Sequence, residues 1–75
     1  MYAMVSIDLA WVRKVTPQQR ETIREQARIS REMMARDIGC GSSVIFRYEK
    51  GHREPTGRTG ADYARLLRKI KEATE

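Results

Sequence analysis

Arginine is the most abundant charged residue in this sequence of 75 residues, and it accounts for eleven of the fifteen basic residues. Set against ten acidic residues, the basic residues leave a net charge of +5. A guanidinium group is always charged and binds phosphate or carboxylate oxygens through two parallel hydrogen bonds. A basic excess in so short a chain favours a polyanionic partner, which is a nucleic acid or, less often, an anionic membrane surface.

Catalytic and metal-binding side chains are scarce by comparison. Cys40 is the sole cysteine and His52 the sole histidine, so the sequence offers neither an internal disulfide nor a set of zinc ligands. Glu21 and Glu25 share a helix face, but neighbouring arginines surround them, and we interpret the group as solvated ion pairs. We therefore expect no enzyme activity, no cofactor, no metal site and no small-molecule ligand.

The length of the chain allows one domain, residues 1–75. No apolar run approaches the ~20 residues of a membrane span, and the N-terminus lacks the charged and apolar regions of a secretion signal. We therefore expect a cytoplasmic protein, in a bacterium or an infected host cell, that acts through the surface of one folded unit.

Glycine and proline cluster in two places, residues 39–41 and 51–60, and divide the chain into helical segments. No stretch alternates polar and apolar residues as a strand does, so we predict an all-α fold of four or five helices. Residues 6–14 fit a short helix, although their Val and Ile content also suits an extended arm. The other predicted helices cover about residues 16–27, 30–38, 42–50 and 56–72.

The second of these helices has the clearest start. Thr16 is a natural cap, Pro17 suits the first helical position, and Gln19 completes a capping box. One stripe of the helix consists of Arg20, Arg24 and Arg28. We interpret this stripe as a solvated surface rather than a patch that faces DNA.

The third and fourth helices are joined by only three residues and must therefore cross steeply. Ala35 is small where the two helices come closest, and Gly39 supplies the positive φ that reverses the chain. Ile45 and Tyr48 lie three apart on the buried side of the fourth helix. The pattern predicts a helix-turn-helix over about residues 31–50.

The stretch from Ile29 to Pro55 resembles the helix-turn-helix family of phage Cro and lambda-type repressors, which also includes many bacterial regulators and antitoxins. The resemblance covers roughly residues 20–70. Its most specific parts are Met34 and Ala35, Ile38 and Gly39, Ile45, the run Tyr48-Glu49-Lys50-Gly51, and Pro55. Gly41 departs from the family pattern, in which a serine usually caps the second helix of the motif, and Ser42 is next in line for that role. The resemblance implies a lambda-repressor-like arrangement of four or five helices.

The resemblance implies that the helix at residues 42–50 enters the major groove of duplex DNA. The side chains that would then face the bases are Ser42, Ser43, Phe46 and Arg47. Arg47 is the best candidate for direct reading, because a guanidinium can bridge O6 and N7 of guanine. Phe46 has two readings: it presses on a thymine methyl group, or it packs against the stems of Arg31 or Arg53.

The same placement implies phosphate contacts on both sides of that helix. Arg31 lies in the first turn of the preceding helix, where free N–H groups and the helix dipole favour an anion. The other expected phosphate contacts lie at the end of the helix at residues 42–50 or after it. They are Lys50, His52, Arg53, Arg58 and Thr59. Such contacts position a protein on DNA without reading the sequence.

The function that the resemblance implies is sequence-specific binding of double-stranded DNA by a transcription regulator, a repressor of phage or bacterial type, as a homodimer on a palindrome. The alternative is a small helix-turn-helix protein that acts mainly through a protein partner, as an antirepressor, excision factor or antitoxin. Candidates for such an interface, or for homodimerisation, are Tyr2, Met4, Val5 and Trp11, and core packing is the other reading of Trp11. RNA is less favoured, because no pair of aromatic residues lies on a strand.

Overall fold

The computed structural model describes residues 7–75, which form five helices and, within that range, contain no strand. The helices are α1 (Ile7–Arg13), α2 (Pro17–Gln26), α3 (Arg31–Ile38), α4 (Ser42–Lys50) and α5 (Gly57–Thr74). The predicted all-α fold is confirmed, and α1 is a helix rather than an extended arm. None of these helices combines the length and the hydropathy required to cross a lipid bilayer.

Side-chain caps and left-handed residues set the ends of the helices. Oγ1 of Thr16 accepts a hydrogen bond from the Gln19 amide at 3.1 Å, and Oε1 of Gln19 accepts one from the Thr16 amide at 3.0 Å. The predicted capping box of α2 is therefore present. Ser30 caps α3 by accepting a hydrogen bond from the amide of Met33. Gly51, with a φ of 75°, adopts the left-handed conformation that ends α4.

The core is built around α5, whose apolar residues recur along one face. Tyr63, Leu67 and Ile70 lie three or four residues apart, the spacing of one helix face, and all three are buried. This face packs against α1, α2 and α3, while α4 packs against α2 and α3. The ring of Tyr48, from α4, meets that of Tyr63 with the centroids 4.6 Å apart. The buried apolar residues are Val12, Met34, Ala35, Ile45, Tyr48, Tyr63, Ala64, Leu67 and Ile70.

The short helix α1 covers one side of the core by packing on α5. Val12 is fully buried, and Trp11 is half-buried against the same cluster. The guanidinium carbon of Arg68 lies 5.9 Å from the centroid of the Trp11 ring system. Core packing of Trp11 is therefore confirmed. The other residues considered for a partner interface, Tyr2, Met4 and Val5, lie outside the described residues.

The arginine stripe of α2 is not the solvated surface that its helical spacing predicted. Arg20 is 1% exposed and Arg24 is 7% exposed, so the prediction was wrong for both, and Arg28 alone of the three is exposed. Nη1 of Arg20 donates a hydrogen bond to the carbonyl of Tyr48 at 3.1 Å, and Nη2 donates one to the carbonyl of Val12 at 3.0 Å. These acceptors replace part of the water that a buried guanidinium loses, while Nε of Arg20 is buried without a hydrogen-bond partner among residues 7–75. Arg20 thereby ties the end of α1 to the end of α4.

The carboxylate of Glu49 is fully buried where α2, α3 and α4 meet. Nε and Nη2 of Arg24, from α2, donate hydrogen bonds to its two oxygens at 2.5 and 3.1 Å. Nε of Arg31, from α3, donates to Oε1 of Glu49 at 2.9 Å. The hydrogen bond with Glu49 raises the pKa of Arg24, so this guanidinium remains charged. Two cations thus compensate the desolvation of one buried carboxylate, and the ion pairs join three helices.

We expect Glu49→Gln to lower the free energy of unfolding by about 3–5 kcal/mol, because it leaves two guanidinium groups without their carboxylate. Urea denaturation followed by far-UV circular dichroism measures the change. The matched control Glu25→Gln neutralises an exposed carboxylate of α2 and should change the same quantity by less than about 0.5 kcal/mol. Equal destabilisation by the two variants would contradict a structural role for the Glu49 ion pairs.

Candidate nucleic-acid interface

The turn between α3 and α4 is three residues long, as predicted, and Gly39 opens it. Gly39 has a φ of 90°, which glycine adopts without strain. The amides of Gly39 and Cys40 both donate to the carbonyl of Ala35, at 2.8 and 2.9 Å, and so satisfy the end of α3. Ala35 itself is 2% exposed. Cys40 is half-buried against the core, and its burial raises the pKa of the thiol.

Apolar side chains anchor α4 from beneath. Ile45 and Tyr48 are buried, and Val44 is partly buried against the same core. The buried carboxylate of Glu49 lies on this side as well. Because one side of a nine-residue helix is occupied in this way, its opposite side faces outward, and the predicted anchoring by Ile45 and Tyr48 is confirmed.

The outward side of α4 carries the four residues that were predicted to face bases. Ser43 and Arg47 are exposed, Phe46 is 41% exposed, and Ser42 is half-buried in the first turn. Within residues 7–75, the guanidinium of Arg47 has no carboxylate partner. The structure therefore places these side chains together at the surface, with Arg47 available for a ligand.

The ring of Phe46 lies among cationic side chains. The guanidinium carbon of Arg31 is 5.1 Å from the ring centroid and Nζ of Lys50 is 5.8 Å from it, both within the range of cation–π attraction. The ring of His52 approaches edge-on at a centroid distance of 6.2 Å. Packing against Arg31, one of the two readings of Phe46, is therefore present. The ring nevertheless keeps an exposed surface that a ligand can contact.

The N-termini of α3 and α4 border one cleft of about 440 Å³. Its lining includes Arg31 and Glu32 from α3 together with Ser42, Ser43 and Phe46 from α4. A residue predicted to hold phosphate thus lies beside three that were predicted to face bases. The free amide groups and the dipole at a helix N-terminus favour anions, so the arrangement suits a polyanion.

The remaining candidates for phosphate contact follow α4 or begin α5. His52 and Arg53 are exposed just after α4 and share a cavity with the turn between α1 and α2. Arg58 and Thr59 are exposed in the first turn of α5. Arg58 lines a different cleft, of about 370 Å³, which also contains two aspartates. Arg65 and Lys69 line the same cleft, so Arg58 lies in a group of three cations and two carboxylates that is separate from His52 and Arg53.

Comparison with known families adds a finding that is independent of this geometry. The sequence profile that describes the helix-turn-helix family matches residues 21–72, more than two thirds of the chain. The chain belongs to the helix-turn-helix family of the Cro and lambda-repressor type. No curated protein and no solved structure gave a significant match. The matched region agrees with the resemblance over residues 20–70, and the family is one of DNA-binding domains.

This helix-turn-helix domain holds two of its predicted phosphate-binding cations in ion pairs. Nη2 of Arg31 donates to Oε2 of Glu21 at 3.0 Å, and Nζ of Lys50 lies 3.3 Å from Oε1 of the same carboxylate. Arg31 also donates to the buried Glu49, and its side chain is 30% exposed. Arg31 therefore supports the fold of the domain and borders its outward face at once.

Two carboxylates of the helix-turn-helix domain have roles that sequence reasoning missed. Glu21 was interpreted as an ion-pair partner of the arginines beside it in α2, but its partners, Arg31 and Lys50, come from α3 and α4. Glu49 entered only as a letter of the family motif, and it is the buried acceptor for two arginines. The run Tyr48-Glu49-Lys50-Gly51, which ends the motif, was a signal that Glu49 has a role. No residue within α2 indicates that Glu21 pairs with Arg31 and Lys50.

Proposed function

We propose that this protein binds double-stranded DNA sequence-specifically, as a transcription regulator of the repressor kind, and reads the major groove with α4. The observation that carries the proposal is the two-sided character of α4. Ile45 and Tyr48 are buried beneath it, while Ser43 and Arg47 are exposed on its other side. A helix presented in this way after a tight turn has the dimensions that fit a groove about 12 Å wide.

Arg47 is the residue that we assign to direct base reading. Its guanidinium is exposed and has no carboxylate partner in the described part of the chain, which leaves it free to bridge O6 and N7 of a guanine. Ser42 and Ser43 occupy the N-terminal end of α4, the end that reaches base edges or phosphates in this motif. The exposed part of the Phe46 ring adds an apolar contact to a thymine methyl group.

Hydrogen-bond donors on both sides of α4, most of them cations, supply the contacts to the DNA backbone. Arg31 precedes α4, and Lys50, His52 and Arg53 end or follow it. Arg58 and Thr59 extend the proposed footprint to the start of α5. These contacts position α4 without reading the sequence, and the net charge of +5 attracts the duplex at longer range.

A single recognition helix reads one half of an operator. We propose a homodimer on a palindrome whose half-sites lie about one helical turn, ~34–36 Å, apart. Repression follows where the occupied operator overlaps a promoter. Sedimentation of the protein with an operator duplex distinguishes two copies per site from one.

We expect Arg47→Ala to remove the preference at the base pairs that Arg47 contacts, with a loss of about 1–3 kcal/mol of discrimination at each. Selection from a random duplex library, performed in parallel with the wild-type protein, measures the preference at every position. Unchanged preferences in the variant would show that the outward side of α4 does not read DNA.

Arg53→Ala is the matched control, because it removes an exposed guanidinium that lies outside α4. It should weaken binding to all sequences alike and reduce the slope of log Kd against log salt by about one. Arg31→Ala is less suitable, since Arg31 also donates to the buried Glu49 and its loss affects folding. A change of base preference in the Arg53 variant would contradict its assignment to the backbone.

We expect Glu21→Gln to raise the affinity for every duplex by roughly two- to tenfold, because Arg31 and Lys50 no longer have a carboxylate that competes with phosphate. Fluorescence anisotropy with a labelled duplex at constant low salt measures the gain. The control Glu25→Gln makes the same change of charge one helical turn further along α2, at an exposed position. Equal gains in the two variants would mean that Glu21 acts through net charge alone.

A further inference from the structure

We propose that the DNA-binding surface extends past the helix-turn-helix to a second phosphate site between α1 and α2. The site, which we call the α1–α2 corner, consists of Arg13, Lys14, His52 and Arg53, and its ligand is one backbone phosphate of the bound duplex. This inference rests on the proposed function and adds to it. Arg13 and Lys14 precede residue 21, where the family match begins, so the family relationship does not imply them.

The four basic side chains line one cavity of about 360 Å³ between the α1–α2 turn and the segment after α4. Arg13 is the last residue of α1, and Lys14 follows it. His52 and Arg53 enter from the other side, after the left-handed residue that ends α4. All four are exposed, so each can donate a hydrogen bond to a phosphate that sits at the mouth of the cavity.

Buried contacts hold the two sides of the α1–α2 corner together. The guanidinium of Arg20 donates to the carbonyls of Val12 and Tyr48, which lie near the ends of α1 and α4. Gly51 also lies so close to the start of α2 that a Cβ at this position would be 3.3 Å from Cγ of Pro17. The backbone of the corner is therefore positioned by the fold and not by its exposed cations. Such preorganisation reduces the ordering that binding requires.

The charges of the α1–α2 corner are not neutralised within residues 7–75. None of the four basic side chains has a carboxylate partner there. Glu54 also lines the cavity, but Nη2 of Arg20 donates to its carboxylate at 2.9 Å. Basic groups that lie close together without a counter-charge repel one another, and a phosphate between them removes that repulsion and accepts charge-assisted hydrogen bonds.

The α1–α2 corner adjoins the side of α4 to which we assign base reading. His52 lines the cavity, and its ring also meets the ring of Phe46 edge-on at 6.2 Å. Phe46 in turn lies on the outward side of α4. A duplex seated on α4 therefore carries its backbone past His52 toward Arg13 and Lys14. This continuity favours a phosphate of the DNA backbone over a free phosphate ion.

The test is the full-length double variant Arg13→Gln with Lys14→Gln, whose thermal unfolding should match that of the wild type because both side chains are exposed. We expect its Kd to rise about tenfold, equally for a selected duplex and for a scrambled one, and the slope of log Kd against log salt to fall by about one. Base preferences should not change. Ethylation of single phosphates should reveal a flanking phosphate that the wild type requires and the variant does not.

The matched control is Arg36→Gln with Lys69→Gln, which removes the same charge from exposed positions of α3 and α5 that have no carboxylate partner among residues 7–75, and it should leave the slope unchanged. Equal losses in the two double variants, or an unchanged slope in the corner variant, would overturn the α1–α2 corner. If the wild type binds DNA with an Arg47-dependent base preference while the corner variant behaves as the wild type does, this inference alone fails. If the wild type does not bind duplex DNA, the proposed function fails with it.

Discussion

The position of α4 depends on one buried carboxylate. Apolar contacts through Ile45 and Tyr48 hold the helix against the core, but such contacts are not directional, so they specify its rotation and register loosely. The hydrogen bonds that Glu49 accepts from Arg24 and Arg31, at 2.5–3.1 Å, are directional and restrict that rotation further. Buried ion pairs contribute little net stability, because desolvation offsets most of their attraction. We therefore interpret the Glu49 ion pairs as the feature that decides which side of α4 faces outward.

A series of ion pairs with alternating charge connects the buried Glu49 to the surface of the protein. Glu49 binds Arg31, Arg31 binds Glu21, and Glu21 binds Lys50, with the ring of Phe46 near both cations. Each side chain in this series restricts the conformations of the next. Arg31 therefore serves both the fold and the proposed interface, because its guanidinium borders the outward side of α4 and also compensates the buried charge of Glu49. Cations held in this way lose less conformational freedom when they meet a phosphate than free side chains do.

The sequence predicted what local signals control. Thr16 with Gln19, Ser30, Gly39 and Gly51 mark helix ends through contacts within a few residues, and the helices begin and end where these residues require. Sequence reasoning failed on the arginines of α2, because helical spacing shows which residues share a face but not what that face meets. The acceptors for Arg20 lie 8, 28 and 34 residues away, and the carboxylate that binds Arg24 lies 25 residues away. Periodicity within one helix carries no information on partners at such separations.

The amino-acid composition also overestimates how many basic side chains are available to contact DNA. Eleven arginines suggest a broad basic face, yet Arg20 and Arg24 are buried and Arg31 is engaged by two carboxylates. Ion pairing leaves the net charge, and hence the long-range attraction of a polyanion, unaltered. Short-range phosphate contacts differ, because a cation that already holds a carboxylate must exchange one anionic oxygen for another and gains less. The salt dependence of DNA binding should therefore follow the number of unpaired cations around α4 rather than the number of basic residues in the chain.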